Sequence, residues 1–368
     1  MKTLLTLILV IHGLIHFMGF AKAFGYGNVN QLTKEISKPI GVLWLIVGSL
    51  LIVSTVLLHV RKELWPFLGI VAALGSQVLI FLFWQDAKFG TIANIIILIL
   101  ATIGAAEIIF ENSFMKDVAQ AMDIDPPAHD ERITDEDLSG LPIPVRKYLE
   151  YTGVVGKPKV RNVKIVFEGQ MRKKGKDWFN FTSEQYNFTS DPTRLFFMKA
   201  KISGIPTTGY HRYRNDGASM LIKLASLFPV AKIDGPEMFP TETVTFFNDL
   251  CLFAPGALID ARIKWHAIDH ESAKATFTTD NATISATLFF NDKGQLVNFI
   301  SDDRYSVSEM KTFPFSTPIE DYIEILGYRL PSYGEAIWHF PDADFTYGKF
   351  HLQSIDFNVG QTTIQSDP

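Results

Sequence analysis

The chain has 368 residues, a formal net charge of −5, and 47% hydrophobic against 20% charged residues. That acidic balance gives no footing for a nucleic-acid partner. A single cysteine, Cys251, excludes an intrachain disulfide framework and any paired-cysteine metal or redox motif.

Residues 3–20, 40–60, 64–84 and 91–110 hold one formal charge between them, Glu107. A helix needs ~20 apolar residues to cross a bilayer, and amides in lipid must be satisfied within their own segment. The four runs are therefore read as a transmembrane domain, residues 1–111, of a multi-pass cell-membrane protein. The first run also imitates a cleaved signal peptide, with Lys2 ahead of it and "AKA" at 21–23. Its length and the three spans that follow favour an uncleaved helix. The tight "RKE" loop at 61–63 favours cytoplasmic termini, which would place the carboxy-terminal domain in the cytoplasm.

Inside the first span, "LVIHGLIHFMGF" sets His12 and His16 on one helix face. Counting rise from the aligned helix ends puts His16, Gln77 and Asn94 near a common depth, while His59 falls near the opposite face. A polar clip of His16, Gln77 and Asn94 needs only interhelical hydrogen bonds. A metal, haem or proton-relay site at His12 and His16 is the alternative, although one helix supplies only two ligands.

Residues 112–140 turn acidic, with "MDIDPPAHDERITDEDLSG" lacking apolar periodicity, and read as a solvated linker. From 141 to about 360 the pattern is globular. "LPIPVRKYLEYTG" has Pro144 suited to a first helical turn and Gly153 to an end. Alternation of period two follows in "RNVKIVFEGQM" and "SAKATFTTDNATISATLFF". Ten or so strands are expected between 160 and 358, interrupted by one helix near 237–252. The predicted architecture is a four-helix transmembrane bundle followed by an α+β domain, a large curved, half-barrel-like antiparallel sheet with one or two helices.

The pieces "LPIPVRKYLEYTGVVG", "ASMLIKLASLFPVAKIDGPEM", "IKWHAIDHESAKATF", "LFFNDKGQLVNFISDDRY" and "YRLPSYGEAIWHF" resemble an uncharacterised bacterial family, a domain of unknown function, over about 138–358. That resemblance implies no reaction. The expected architecture is more loosely similar to lipoprotein-sorting carriers, and this likeness implies acyl chains held on an apolar concave face.

No GxSxG elbow, P-loop, GxGxxG or HExxH motif is present, and no cofactor is expected. Arg212, Glu242, Asp269, Arg304 and Glu335 are the candidate set for acid/base chemistry, which leaves weak sequence traces. Arg–carboxylate pairs that orient strands explain them equally well. "KWHAIDH" groups His266, Asp269 and His270, and reads first as a solvated turn. "RKKGK" at 172–176 reads first as a hairpin turn and second as a basic patch facing anionic lipid. Phe-rich amphipathic strands on a membrane tether point to a module binding a lipid-like or apolar ligand at the bilayer surface. A membrane enzyme with an unrecognised acid/base or metal site, and a sensor or assembly scaffold, remain as the other readings.

Overall fold

The computed structural model describes residues 2–124, 131–306 and 309–360. The chain forms two compact units, one of Met1–Glu111 with Ala225–Leu227 and one of Asn112–Leu224 with Phe228–Pro368.

The first unit is helical: α1 (Lys2–Phe24), α2 (Lys38–Val60), α3 (Trp65–Leu82), the single turn α4 (Trp84–Ala87) and the start of α5 (Gly90–Ile124). All but α4 are long and apolar enough to cross a membrane. Leu7, Ile11, Val53, Val71, Val78 and Ile99 face outward, whereas His12, His16, Ser54, Ser76 and Asn94 are buried. An oily exterior around a polar interior is the arrangement that hydrocarbon solvent favours. Gly19 is required where it stands, because a Cβ there would fall inside the Trp44 ring.

The second unit opens with the rest of α5, then α6 (Asp135–Leu138) and α7 (Ile143–Thr152). Strands β1 (Asn162–Met171), β2 (Phe179–Phe188), β3 (Thr193–Ile202), β4 (Ile205–Arg214), β5 (Gly217–Leu224) and β6 (Phe228–Asp234) form a meander. Helix α8 (Met238–Phe253) and a 3-10 turn interrupt it. Then come β7 (Ile263–Ala267), β8 (Ser272–Thr278), β9 (Thr283–Phe290) and β10 (Leu296–Ser301). A small ladder of β11 (Tyr305–Ser306) and β12 (Lys311–Thr312) precedes β13 (Phe315–Ile325), β14 (Tyr328–His339) and β15 (Asp344–Phe357). Thirteen strands make one antiparallel sheet, ordered β6-β5-β4-β3-β2-β1-β15-β14-β13-β10-β9-β8-β7, with open edges at β6 and β7.

Laid flat at ~4.8 Å per strand, this sheet would be roughly 58 Å wide. Yet the one helix α8 touches β3, β4 and β5 near one edge and β9 and β10 near the other. The sheet therefore wraps around α8. Twist accumulates as it wraps: at ~20° per neighbour, β4 and β8 differ by roughly half a turn. Strand direction puts the β4–β5 and β8–β9 turns on opposite rims, yet Asn281 Nδ2 donates to Asn215 O at 3.1 Å. Arg262, ahead of β7, likewise donates to the carbonyls of Thr189 and Ser190 in the β2–β3 turn. Opposite rims meet because of the half-turn.

Residues expected to be a solvated linker behave differently where they are described. Helix α5 continues to Ile124, and Phe114, Val118, Ala121 and Met122 are buried. Phe114 lies against Tyr186, Phe197 and Tyr210, with ring centroids 6.0, 5.4 and 5.6 Å away. Spacing of about one helical turn along "FMKDVAQAM" builds that apolar stripe, and the acidic residues around it obscured the pattern. Further on, Ile133 and Leu138 are buried, and α6 is closed by a Thr134/Asp137 capping box. Residues 125–130, which hold the Pro pair, lie outside the described residues.

Replacing Phe114 with Ala removes a buried ring from a packed face and should cost about 3 kcal/mol. Thermal or denaturant unfolding of the detergent-solubilised chain reads this. A freely solvated linker would instead give no change.

Candidate functional site

On the wrapped side of the sheet, α8 buries 13 of its 16 residues. Phe247 stacks on Phe277 at 5.3 Å and leans on Phe299 at 6.0 Å. Phe246 meets Tyr213 and Phe277, and Phe253 meets Phe167. Aromatic rings from β1, β4, β8 and β10 thus enclose one helix in a continuous apolar core. Helix α7 closes over it, with the Tyr148 hydroxyl donating to Cys251 O at 2.7 Å.

One flank of α8 is charged. Glu242 and Asp249, two turns apart, share that flank. Arg194 of β3 reaches both: its Nε donates to Asp249 Oδ2 at 2.7 Å and its Nη1 to Glu242 Oε2 at 3.3 Å. Gln185 Nε2 and Asn187 Nδ2, alternate residues on β2, also donate to Asp249 Oδ2 at 2.7 and 3.3 Å. Gln185 Oε1 accepts in return from Arg194 Nη2 at 3.0 Å. All three charged side chains are nearly inaccessible to water. His211 of β4 carries the network outward: its Nδ1 lies 3.3 Å from Glu242 Oε1 and its side chain is 27% exposed.

Burial by itself raises the Glu242 carboxyl, but His211 and Arg194 outweigh it and hold the group well below the usual carboxylate range. Burial likewise works against the Arg194 cation, and Asp249 and Glu242 more than offset it. The cluster is thus an arginine clamped between two carboxylates, a charge-assisted tie between α8 and the sheet. Asn248, also on α8, donates through Nδ2 to Thr317 Oγ1 at 3.0 Å, while its Oδ1 finds no hydrogen-bond partner among the described residues.

The five residues singled out for acid/base chemistry do not form one constellation. Glu242 lies in the cluster, and the charge of Arg304 is felt there. Arg304 itself sits over the Phe315 ring at 3.9 Å and donates to the Tyr347 hydroxyl at 2.8 Å. Arg212 faces the other side of the sheet, 3.2 Å from Asp117 of α5 and 2.8 Å from Asp216. Asp269 is exposed and accepts from Glu271 N and Ser272 Oγ within its own turn. Glu335 accepts from the Tyr333 hydroxyl at 2.6 Å. His266 and His270 are exposed.

Arg194, Asp249, His211, Gln185 and Asn187 were missed. Signals existed: an arginine inside "TRLFFM", the two amides at i,i+2, and two carboxylates at i,i+7 on a helix. A separate surface cleft of about 60 Å³, lined by Pro144, Lys147, His270, Glu271 and Asn291, has room for only a few waters.

In the helical unit, His12 rather than His16 joins Asn94 and Gln77. His12 Nε2 donates to Asn94 Oδ1 at 2.9 Å and lies 3.0 Å from Ser76 Oγ. Asn94 Nδ2 donates to Gln77 Oε1 at 3.0 Å, and Gln77 Nε2 to Thr91 Oγ1 at 3.2 Å. His16 instead turns Nδ1 back to His12 O at 2.8 Å and packs on Trp44. Backbone capture of His16 by its own helix is the physical reason it leaves the clip. Among the described residues no three His, Cys, Asp or Glu side chains group to hold a metal ion.

Residues 131–350 match the model of a family described as "Family of unknown function (DUF6544)". The chain belongs to that family. Two solved structures show distant similarity. One is a putative outer membrane lipoprotein-sorting protein domain from Vibrio parahaemolyticus: 11% identity, 54% of this chain and 86% of that one covered, TM-score 0.33. The other is a LolA superfamily protein from Nitrosomonas europaea: 9% identity, 61% and 97% covered, TM-score 0.33. No functional conclusion follows from similarity at this level. No curated protein matches the chain.

Arg194→Met should destabilise the protein by about 3–5 kcal/mol, because it strands two buried carboxylates. The triple variant Arg194→Met/Glu242→Gln/Asp249→Asn should recover much of that loss in the same unfolding assay. Because the folded value of Glu242 is depressed, its stabilisation is complete above the ordinary carboxylate value of 4.5 and drains away as pH falls toward about 2. The melting temperature of Glu242→Gln should accordingly vary less with pH across that window. In the helical unit, His12→Ala should cost about 1–2 kcal/mol and exceed the effect of His16→Ala.

Proposed function

We propose that this chain is a membrane-anchored module that takes up a lipid-like or otherwise apolar ligand at the bilayer surface, with α8 standing in the ligand's place. The observation that carries the reading is the wrapping of an unclosed sheet around a single helix that buries 13 of its 16 residues. Helix α8 is roughly 24 Å long at 1.5 Å per residue, more than the ~15 Å depth of one hydrocarbon leaflet. The volume it occupies would therefore accept an extended acyl chain.

An open sheet admits such an exchange because, among the described residues, no strand pairs with the outer edge of β6 or of β7. Polar links to the sheet, through Glu242, Asp249 and Asn248, give α8 a defined seat and contribute less than apolar packing would. Apolar helices α1, α2, α3 and α5 would hold this unit at the source of its ligand. The short 61–63 loop favours the cytoplasmic side for it.

Native mass spectrometry of the full chain, extracted in mild detergent, should find bound lipid, and a fluorescent fatty acid should bind saturably. An Asn248→Cys/Thr317→Cys disulfide, built where those side chains meet, should block uptake when oxidised and restore it on reduction. Unchanged uptake by the oxidised variant, or a wild-type chain that binds no acyl probe, would reject the proposal.

A further inference from the structure

The β1–β2, β3–β4 and β5–β6 turns lie on one rim of the sheet, because successive antiparallel strands return to the same end. We infer that this rim is a contact surface for an anionic lipid bilayer, an inference that rests on the membrane reading above.

Two observations converge on it. First, the rim exposes large apolar side chains: Ile205 where β4 begins, and Phe228 and Val230 where β6 begins, at 41%, 64% and 56% exposure. Lone exposed apolar residues are ordinary, but three on two neighbouring turns call for a partner.

Second, the rim is basic. The β1–β2 turn carries Arg172, Lys173, Lys174 and Lys176, and Lys201 is exposed at the β3–β4 turn. Carboxylates offset part of this: Asp342 pairs with Lys174 at 2.7 Å, and Asp177 is exposed beside Lys176. Lysines near anionic lipid are attracted to its surface potential.

A second copy of the chain is the less suitable occupant. Pro229 removes a backbone donor from edge strand β6, and a register shift between Ile222 and Lys223 distorts the pairing beside it. Both features oppose strand addition. Lipid asks for no backbone pairing.

The test uses the full chain in vesicles of phosphatidylglycerol and phosphatidylcholine, with a nitrobenzoxadiazole label on one introduced cysteine. Native Cys251 is buried and stays unlabelled. Sites are Phe228→Cys on the rim, Ile99→Cys in the last span and Lys293→Cys in the turn between β9 and β10. Nitroxide-bearing lipids should quench the Phe228 label almost as strongly as the Ile99 label, and several times more than the Lys293 label. Lys173→Glu/Lys176→Glu should lower the Phe228 quenching, and more so in phosphatidylglycerol than in phosphatidylcholine alone. An unquenched Phe228 label beside a quenched Ile99 label would overturn the inference and leave the membrane reading standing. An unquenched Ile99 label would overturn both. Indifference to the charge reversal would overturn the anionic assignment.

Discussion

A sheet with one apolar face must cover it, and the broad, strongly twisted sheet of this family member covers its inner face with a single helix. Once α8 is seated, the sheet has to curl until strands near both edges reach it, and accumulated twist then brings opposite rims together at Asn281 and Asn215. The seat in turn decides where charge goes. Glu242 and Asp249 lie on the flank of α8 that meets β2 and β3, and Arg194 answers them from β3.

Strands β2 to β4 carry a second burden, because α5 covers their other face. Tyr186, Phe197 and Tyr210 point to Phe114, while their sequence neighbours Gln185, Phe196 and His211 belong to the α8 side. Double coverage buries six consecutive residues at the start of β3. It also makes β3 a shared wall: Arg194 ties it to α8 on one side, and Leu195 pairs with Arg212, the partner of Asp117, on the other. A buried ion cluster is a poor source of stability compared with apolar packing, but it specifies register. Here it specifies how α8 is turned.

Most of the fold was legible, and where it was not the reason is local. The four apolar helices follow from length and charge exclusion. Strands β8 and β9, covered on one side, alternate cleanly. "TRLFFMKA" does not alternate, because both of its faces are covered. The acidic composition of residues 112–140 reads as a solvated linker, although Phe114, Val118, Ala121 and Met122 within it carry a stripe that needs the β2–β4 wall to give it meaning. The candidate site was less legible. Glu242 and Arg304 were named, but Arg194 looked like one more strand cation until β3 was placed against α8.

By itself the sequence determined the partition between apolar helices and pleated strands, since hydropathy and period are properties of neighbours along the chain. Which histidine clips the helices, which arginine meets the two carboxylates, and which rim collects Ile205, Phe228 and Val230 were decided by tertiary structure alone. Those pairings join residues 50 to 100 or so apart in some cases and adjacent hairpins in others, and only the rotation of each helix and the register of each strand select them.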